Sequence, residues 1–162
     1  MKIILVFLSF LFVNYNTYAD GHSGKIDLEG FGAWSLNIMN AGNGNLSITY
    51  DGLFSGIAMN GTKFGNNSSV QCVGGLTTSK GKFSDETGIC KFLFANGDTA
   101  FTKYIGSGEV GKSGSATFEF IGGTGKYKSI SGSGTVTRVQ IQAAKKGFTQ
   151  SRNVFKGSYK LN

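Results

Sequence analysis

Five glycines fall within the thirteen residues from Gly122 to Gly134, in the stretch Phe120-Ile121-Gly122-Gly123-Thr124-Gly125-Lys126-Tyr127-Lys128-Ser129-Ile130-Ser131-Gly132-Ser133-Gly134-Thr135. Fixing a glycine costs more backbone entropy than fixing any other residue, so such density is useful only where φ must be positive or backbones approach closely. An aromatic and aliphatic strand end enters this segment and a second alternating strand leaves it. It therefore reads as a sharp, preformed corner between two strands. The superficial likeness of Gly122 to Gly125 to a phosphate-cradling loop does not hold, because such a loop needs a following helix and Lys-Ser/Thr at fixed spacing. Here Lys126 is followed by Tyr127.

The rest of the chain carries period-two patterning. Ile26, Leu28, Trp34, Leu36 and Ile38 oppose Asp27, Glu29, Ser35 and Asn37, with Gly30 and Gly32 as bulge or bend points. Leu46, Ile48 and Tyr50 alternate with Ser47 and Thr49 after a turn at residues 40–45, and residues 60–69 form a polar loop. Residues 69–77 and 88–95 read as a hairpin whose tip spans residues 79–87. Asn96-Gly97 has the composition of a type I′ turn. Thr99 to Ile105 returns. Ala116, Phe118 and Phe120 mark the next strand. After the corner, Thr135, Thr137, Val139 and Ile141 oppose Val136, Arg138, Gln140 and Gln142. Phe155, Tyr159 and Leu161 oppose Lys156, Ser158 and Lys160 in the last strand. Only residues 140–146 could pass for helix. Eight strands with turns between them suit a barrel or a sandwich.

Residues 1–19 have one lysine, an apolar run from Ile3 to Val13 and the ending Thr17-Tyr18-Ala19. This is the layout of a signal peptide, with residues 20–162 as a single exported domain, secreted or periplasmic in a Gram-negative cell. In that setting Cys72 and Cys90 most simply form one disulfide. Glycine is abundant and proline absent, which excludes collagen and proline-rich disorder. From Lys126 onward there are eight basic residues and no acidic one. Arg138, Lys156 and Lys160 would form a basic stripe if the last two strands pair. Such a stripe permits weak contact with anionic surfaces, although solvated outer faces explain the same charges; no specific nucleic-acid site is indicated.

At the glycine corner the chain resembles the allene oxide cyclase and dirigent barrel superfamily, through Gly122-Gly123-Thr124-Gly125-Lys126-Tyr127 and Ile130-Ser131-Gly132-Ser133-Gly134-Thr135. It is most similar to small exported bacterial proteins of that fold, which also place a cysteine ahead of a Gly-x-Cys segment and a Gly-Asp turn. Here these are Cys72, then Gly88-Ile89-Cys90, then Gly97-Asp98. The resemblance implies an all-β, calycin-like, eight-stranded antiparallel barrel. It also implies an interior able to hold a small apolar molecule, and the trimers common among plant relatives make a homo-oligomer an expectation. It hands over no catalytic residues.

Read for chemistry, the sequence offers little. His22 is the only histidine and sits beside the expected new terminus, so neither a Ser-His-Asp triad nor a structural zinc site is expected, and no cofactor is implied. Asp51 and Glu119 are the acids within alternating strands that could point into a barrel, where desolvation would raise their pKa. Trp34, Tyr50, Phe92, Phe94, Tyr104 and Phe118 could line an apolar pocket, and plain core filling explains them equally. The reading that follows is a binding or structural module without catalysis. Its rivals are an isomerase or cyclase working by shape and a few polar groups, and an eight-stranded outer-membrane barrel.

Overall fold

A computed structural model describes residues 22–162, which form one closed antiparallel barrel. Its strands run in chain order: β1 (Ser23–Gly42), β2 (Asn45–Ala58), β3 (Ser68–Ser79), β4 (Lys82–Leu93), β5 (Thr99–Glu109), β6 (Gly114–Gly123), β7 (Ser131–Ile141) and β8 (Phe148–Lys160). Each strand pairs with the next, and β1 closes the barrel on β8 from Ser23 opposite Lys160 to Ser35 opposite Phe148. The expected signal peptide and its cleavage point lie outside the described residues. The expected eight-stranded barrel is what the chain forms.

Closure brings together part of the unevenly distributed charge of the sequence. The basic β8 lies against the acidic start of β1, and across that seam Arg152 pairs with Glu29 at 2.6 Å and Lys156 with Asp27 at 3.6 Å. The cationic partners reach into solvent, so neither pair adds much to stability. Their value is in register, because opposite charges meet only in this alignment.

Inward side chains fill the interior. Phe155 stands at the centre, 5.7 Å from the Phe54 ring, 5.8 Å from Phe118 and 6.0 Å from Phe92, measured between centroids. Leu28 and Val70 are fully buried beside them. Gly30 and Gly32 make no bulge, since β1 and β2 stay in register there. Both instead face Phe54, whose side chain would meet a Cβ at either position at 2.5 Å. The outer wall mixes apolar residues such as Leu53 and Ile105 with Asp51, Lys91, Lys103 and Glu119 at mid-strand. A lipid-facing barrel has an apolar outer band and a polar interior. Here the interior is instead packed mainly with apolar side chains, and charged residues interrupt the apolar ones on the outer wall.

The two ends differ. At one end the loop 59–67 inserts Phe64, only 2% exposed, into a ring of Phe92, Phe94, Phe120, Tyr127 and Tyr159, with centroids 5.3 to 6.1 Å away. The loop expected to be merely polar thus carries the plug. The glycine corner supplies its other half. Gly122, Gly125 and Gly132 have positive φ, and a single 3₁₀ turn (Gly125–Tyr127) drops the Tyr127 ring onto Phe94 at 4.1 Å. Asn96-Gly97 is not a type I′ turn, because only Gly97 has positive φ. The Gly97 amide bonds the Phe94 carbonyl and the Phe94 amide bonds that of Asp98, a three-residue hairpin loop with glycine in the left-handed position. Positive φ at both central residues occurs instead at Asn43-Gly44 and Lys80-Gly81, at the opposite end. Residues 140–146, expected as the one helix candidate, are not helical: 140 and 141 end β7, and the others belong to the loop 142–147 at that end.

Cys72 and Cys90 face each other directly across β3 and β4 and are disulfide-bonded inside the core, 1% and 4% exposed. A crosslink closing a loop of this size contributes about 3 kcal/mol in the chain-entropy model. We expect Cys72→Ala/Cys90→Ala to lose about that much in urea unfolding, and reductant without denaturant to leave the bond intact in the folded protein.

Candidate functional site

The unplugged end opens on a cavity of about 200 Å³. Its walls are apolar: Trp34 and Leu36 from β1, Ile48 from β2, Leu76 from β3 and Phe83 from β4. Its floor is polar and comes from four strands. Tyr50, Glu86 and Arg138 line it, and Tyr104 stands directly behind Tyr50. Larger hollows of about 430 to 830 Å³ are shallow depressions on the outer wall.

Glu86 has no solvent exposure. Both of its oxygens accept from Arg138, one guanidinium nitrogen to each, a bidentate pair of the strong, directional kind. The Tyr50 hydroxyl donates to Glu86 Oε1 at 2.6 Å and lies 2.8 Å from the Tyr104 hydroxyl. Because the Tyr50 proton is committed to the carboxylate, Tyr104 is the donor in the tyrosine pair. Protons therefore point one way, from Tyr104 to Tyr50 to Glu86. Beside this chain the Trp34 indole N–H donates to Ser151 Oγ at 2.8 Å, and Ser151 donates to Asn153 Oδ1 at 3.1 Å.

Glycines make room for these polar groups. A Cβ at Gly106 would lie 2.3 Å from Glu86 Oε2, and one at Gly74 or Gly88 would lie 2.4 or 2.2 Å from the Tyr104 hydroxyl oxygen. A bulge completes the arrangement. Between Phe83 and Glu86 the β4 strand carries one residue more than β5 does between Gly106 and Gly108. The extra residue turns Phe83 toward the cavity as well as Glu86, the re-aiming for which bulges near sites are used.

The electrostatics follow from burial. Burial, with the neighbouring Tyr104 and Glu86, holds the Tyr50 hydroxyl far above its ordinary value. Burial also pushes Tyr104 up to about 12, with Glu86 adding to the effect and Tyr50 opposing it. For Arg138, burial works against the charge, but the bonds and charge of Glu86 outweigh it and keep the guanidinium above its usual range. Tyrosines with raised native pKa leave stability unchanged below the unfolded value near 10 and lose it as pH rises through the native value. We expect little tyrosinate absorbance from Tyr50 and Tyr104 in the folded protein near pH 10. Their ionisation should appear together with cooperative alkaline unfolding above it.

Several expected placements change. Asp51 and Glu119 both point outward, Asp51 to the Gln71 amide at 3.1 Å and Glu119 to Lys103 at 2.5 Å. The interior carboxylate is Glu86, which the expected hairpin tip at residues 79–87 had placed in a turn; the turn is only Lys80-Gly81. Arg138 leaves the basic stripe altogether, because the inward face of β7 is Val136, Arg138 and Gln140, while Val139 and Ile141 are exposed. Lys156 and Lys160 do face outward, where Lys156 is paired with Asp27. The six aromatics all point inward but do not line one pocket. Trp34 and Tyr50 reach the mouth cavity, Phe94 joins the plug, and Phe92 packs between the plug and Phe155. Tyr104 and Phe118 border a deeper cavity of about 20 Å³. Asn153 lines that deeper cavity, and its Nδ2 is a buried donor with no partner among the described residues. No group of three or more His, Cys, Asp or Glu among the described residues could hold a metal ion.

No protein-family model matches the chain, and no curated protein is detectably similar to it.

Proposed function

We propose that this is an exported, disulfide-bonded barrel of the allene-oxide-cyclase-like type that binds a small, largely apolar molecule at its open mouth. The observation that carries the reading is the contrast between the two ends. One is plugged by stacked aromatics, while the other holds an apolar-walled cavity with hydrogen-bonding groups on its floor, the pattern by which small ligands are usually held. At about 200 Å³ it is smaller than the roughly 300–1,000 Å³ of sites that enclose drug-sized molecules. A compact ligand, or the end of a longer one, fits that scale. The glycine corner and the ordered Cys72, Gly88-Ile89-Cys90 and Gly97-Asp98 landmarks support the family reading. The leader-like residues 1–19 and the disulfide support export to an oxidising compartment.

A cyclase or isomerase is the second reading, favoured by the presence of a carboxylate and tyrosine hydroxyls inside the barrel. The hydrogen bonds weigh against it. Glu86 spends both oxygens on Arg138 and one also on Tyr50, and the Tyr50 and Tyr104 protons are committed along the chain. A general base or acid must have its proton site free toward the substrate. Binding fits that arrangement better than turnover.

The test is a thermal-shift screen of small fatty acids, terpenoids and cyclic ketones against wild type and Ile48→Glu, which puts a charge on the apolar wall. Stabilisation by at least one class, lost in Ile48→Glu, is expected. Equal shifts in both proteins, or none in either, would remove the mouth as the binding site.

A further inference from the structure

We infer that the mouth selects uncharged ligands bearing a hydrogen-bond acceptor, such as a ketone or amide carbonyl, over carboxylates and amines of the same shape. This rests on the binding reading above and adds the chemistry of the ligand's polar end.

The charges of the site cancel at each level. On the floor the fully buried Glu86 is matched one to one by Arg138. At the rim the cavity is lined by one further acid, Glu109, and one further base, Lys112. Lys145 and Lys146 belong to the adjoining β7–β8 loop but do not line the cavity, and the Lys145 ammonium sits 4.7 Å from the Phe148 ring centroid. A ligand carboxylate entering here would add a buried charge with no spare counter-ion, and an ammonium would do the same with opposite sign. Burying an uncompensated ion costs several kcal/mol.

Hydrogen-bonding capacity is not balanced in the same way. Guanidinium carries five N–H donors, and Glu86 engages two of those on Arg138. The others meet no protein acceptor among the described residues, and the side chain, 22% exposed, borders the cavity. Glu86 Oε1 already accepts twice, and the protons of Tyr50 and Tyr104 are taken. What Tyr50, Glu86 and Arg138 together offer an entering molecule is therefore donors; Gln140, which also brings an amide oxygen, lies two residues further along β7 toward the rim. A carbonyl oxygen takes up a donor without disturbing the charge balance, while the ligand's apolar body lies against Trp34, Ile48 and Leu76.

The experiment uses three probes of one skeleton: cyclohexyl methyl ketone, cyclohexanecarboxylate and cyclohexylmethylamine. Each is titrated into the wild-type protein at neutral pH, with binding followed by calorimetry. The ketone should bind at least about tenfold more tightly than either charged probe. In Glu86→Gln the Arg138 charge loses its counter-ion, and the order should change so that the carboxylate binds best. A carboxylate that equals or beats the ketone in wild type overturns the inference, as does an unchanged order in a folded Glu86→Gln protein. If that variant does not fold, the wild-type order alone decides. Silence of all three probes at millimolar concentration overturns the binding reading itself rather than its selectivity.

Discussion

Arg138→Met will lower the stability of the folded barrel by about 3 kcal/mol, read as a shift in the urea midpoint at unchanged slope. Removing one partner of a buried ion pair costs roughly 3–5 kcal/mol, because the other charge stays behind uncompensated. The 22% exposure of Arg138 places the expected loss at the lower end of that range. Glu86 cannot escape to solvent, being fully buried and boxed in by Gly106 and Tyr50. Removing both charges, in Glu86→Leu/Arg138→Met, should restore most of the loss and leave the double variant within about 1–2 kcal/mol of wild type. The coupling between the two sites is the informative number. If Arg138→Met alone costs less than about 1 kcal/mol, the pair does not organise the floor as described.

The second large effect lies at the other end of the barrel. Phe64→Ala should cost about 3–5 kcal/mol, the usual range for deleting a fully buried phenyl ring. Phe64 is 2% exposed and meets five aromatic rings from β4, the β4–β5 turn, β6, the glycine corner and β8. Its loss opens a hole that no neighbouring ring can close, since each is fixed on its own strand or turn. Differential scanning calorimetry measures the loss. Trp34 packs against Tyr50 and Phe54 and against none of the five rings around Phe64, so its emission in the folded state should change little on this substitution. A change in stability below about 1 kcal/mol would mean that the loop 59–67 does not plug the barrel.

The parts legible in the residues alone were those written in a regular code. Alternation set the number of strands, the paired cysteines matched across a hairpin, and the glycine corner marked a turn that the structure uses to seat Tyr127. The site itself was less legible, for three separate reasons. Glu86, Gly88, Cys90 and Phe92 share parity, and counting back by twos from the cysteine would have turned Glu86 inward; the polar run at residues 79–87 masked that signal by resembling a long loop. In β7 both faces alternate with apolar residues, Val136 on one and Val139 with Ile141 on the other. Which face is inside is decided only when Arg138 comes to lie opposite Gly114 on β6 and Asn153 on β8. Phe64 is a single aromatic in a polar segment, with no period to mark it. Local pattern therefore specifies the wall of this barrel, while its floor and plug depend on register between distant strands.

Trp34 is the only tryptophan in the chain, and its indole lines the mouth with its N–H held by Ser151. The most direct test of a ligand-binding mouth is therefore the ¹H–¹⁵N spectrum of the protein, with its single indole cross-peak, during titration with cyclohexyl methyl ketone. Saturable movement of that peak, together with amides of the turns at Gly44, Gly81 and Gly111, is expected, with Phe64 and Tyr127 unmoved at the plugged end. Shifts confined to the outer wall or the plug, with the indole peak fixed to the end of the titration, would contradict a binding site at the open mouth.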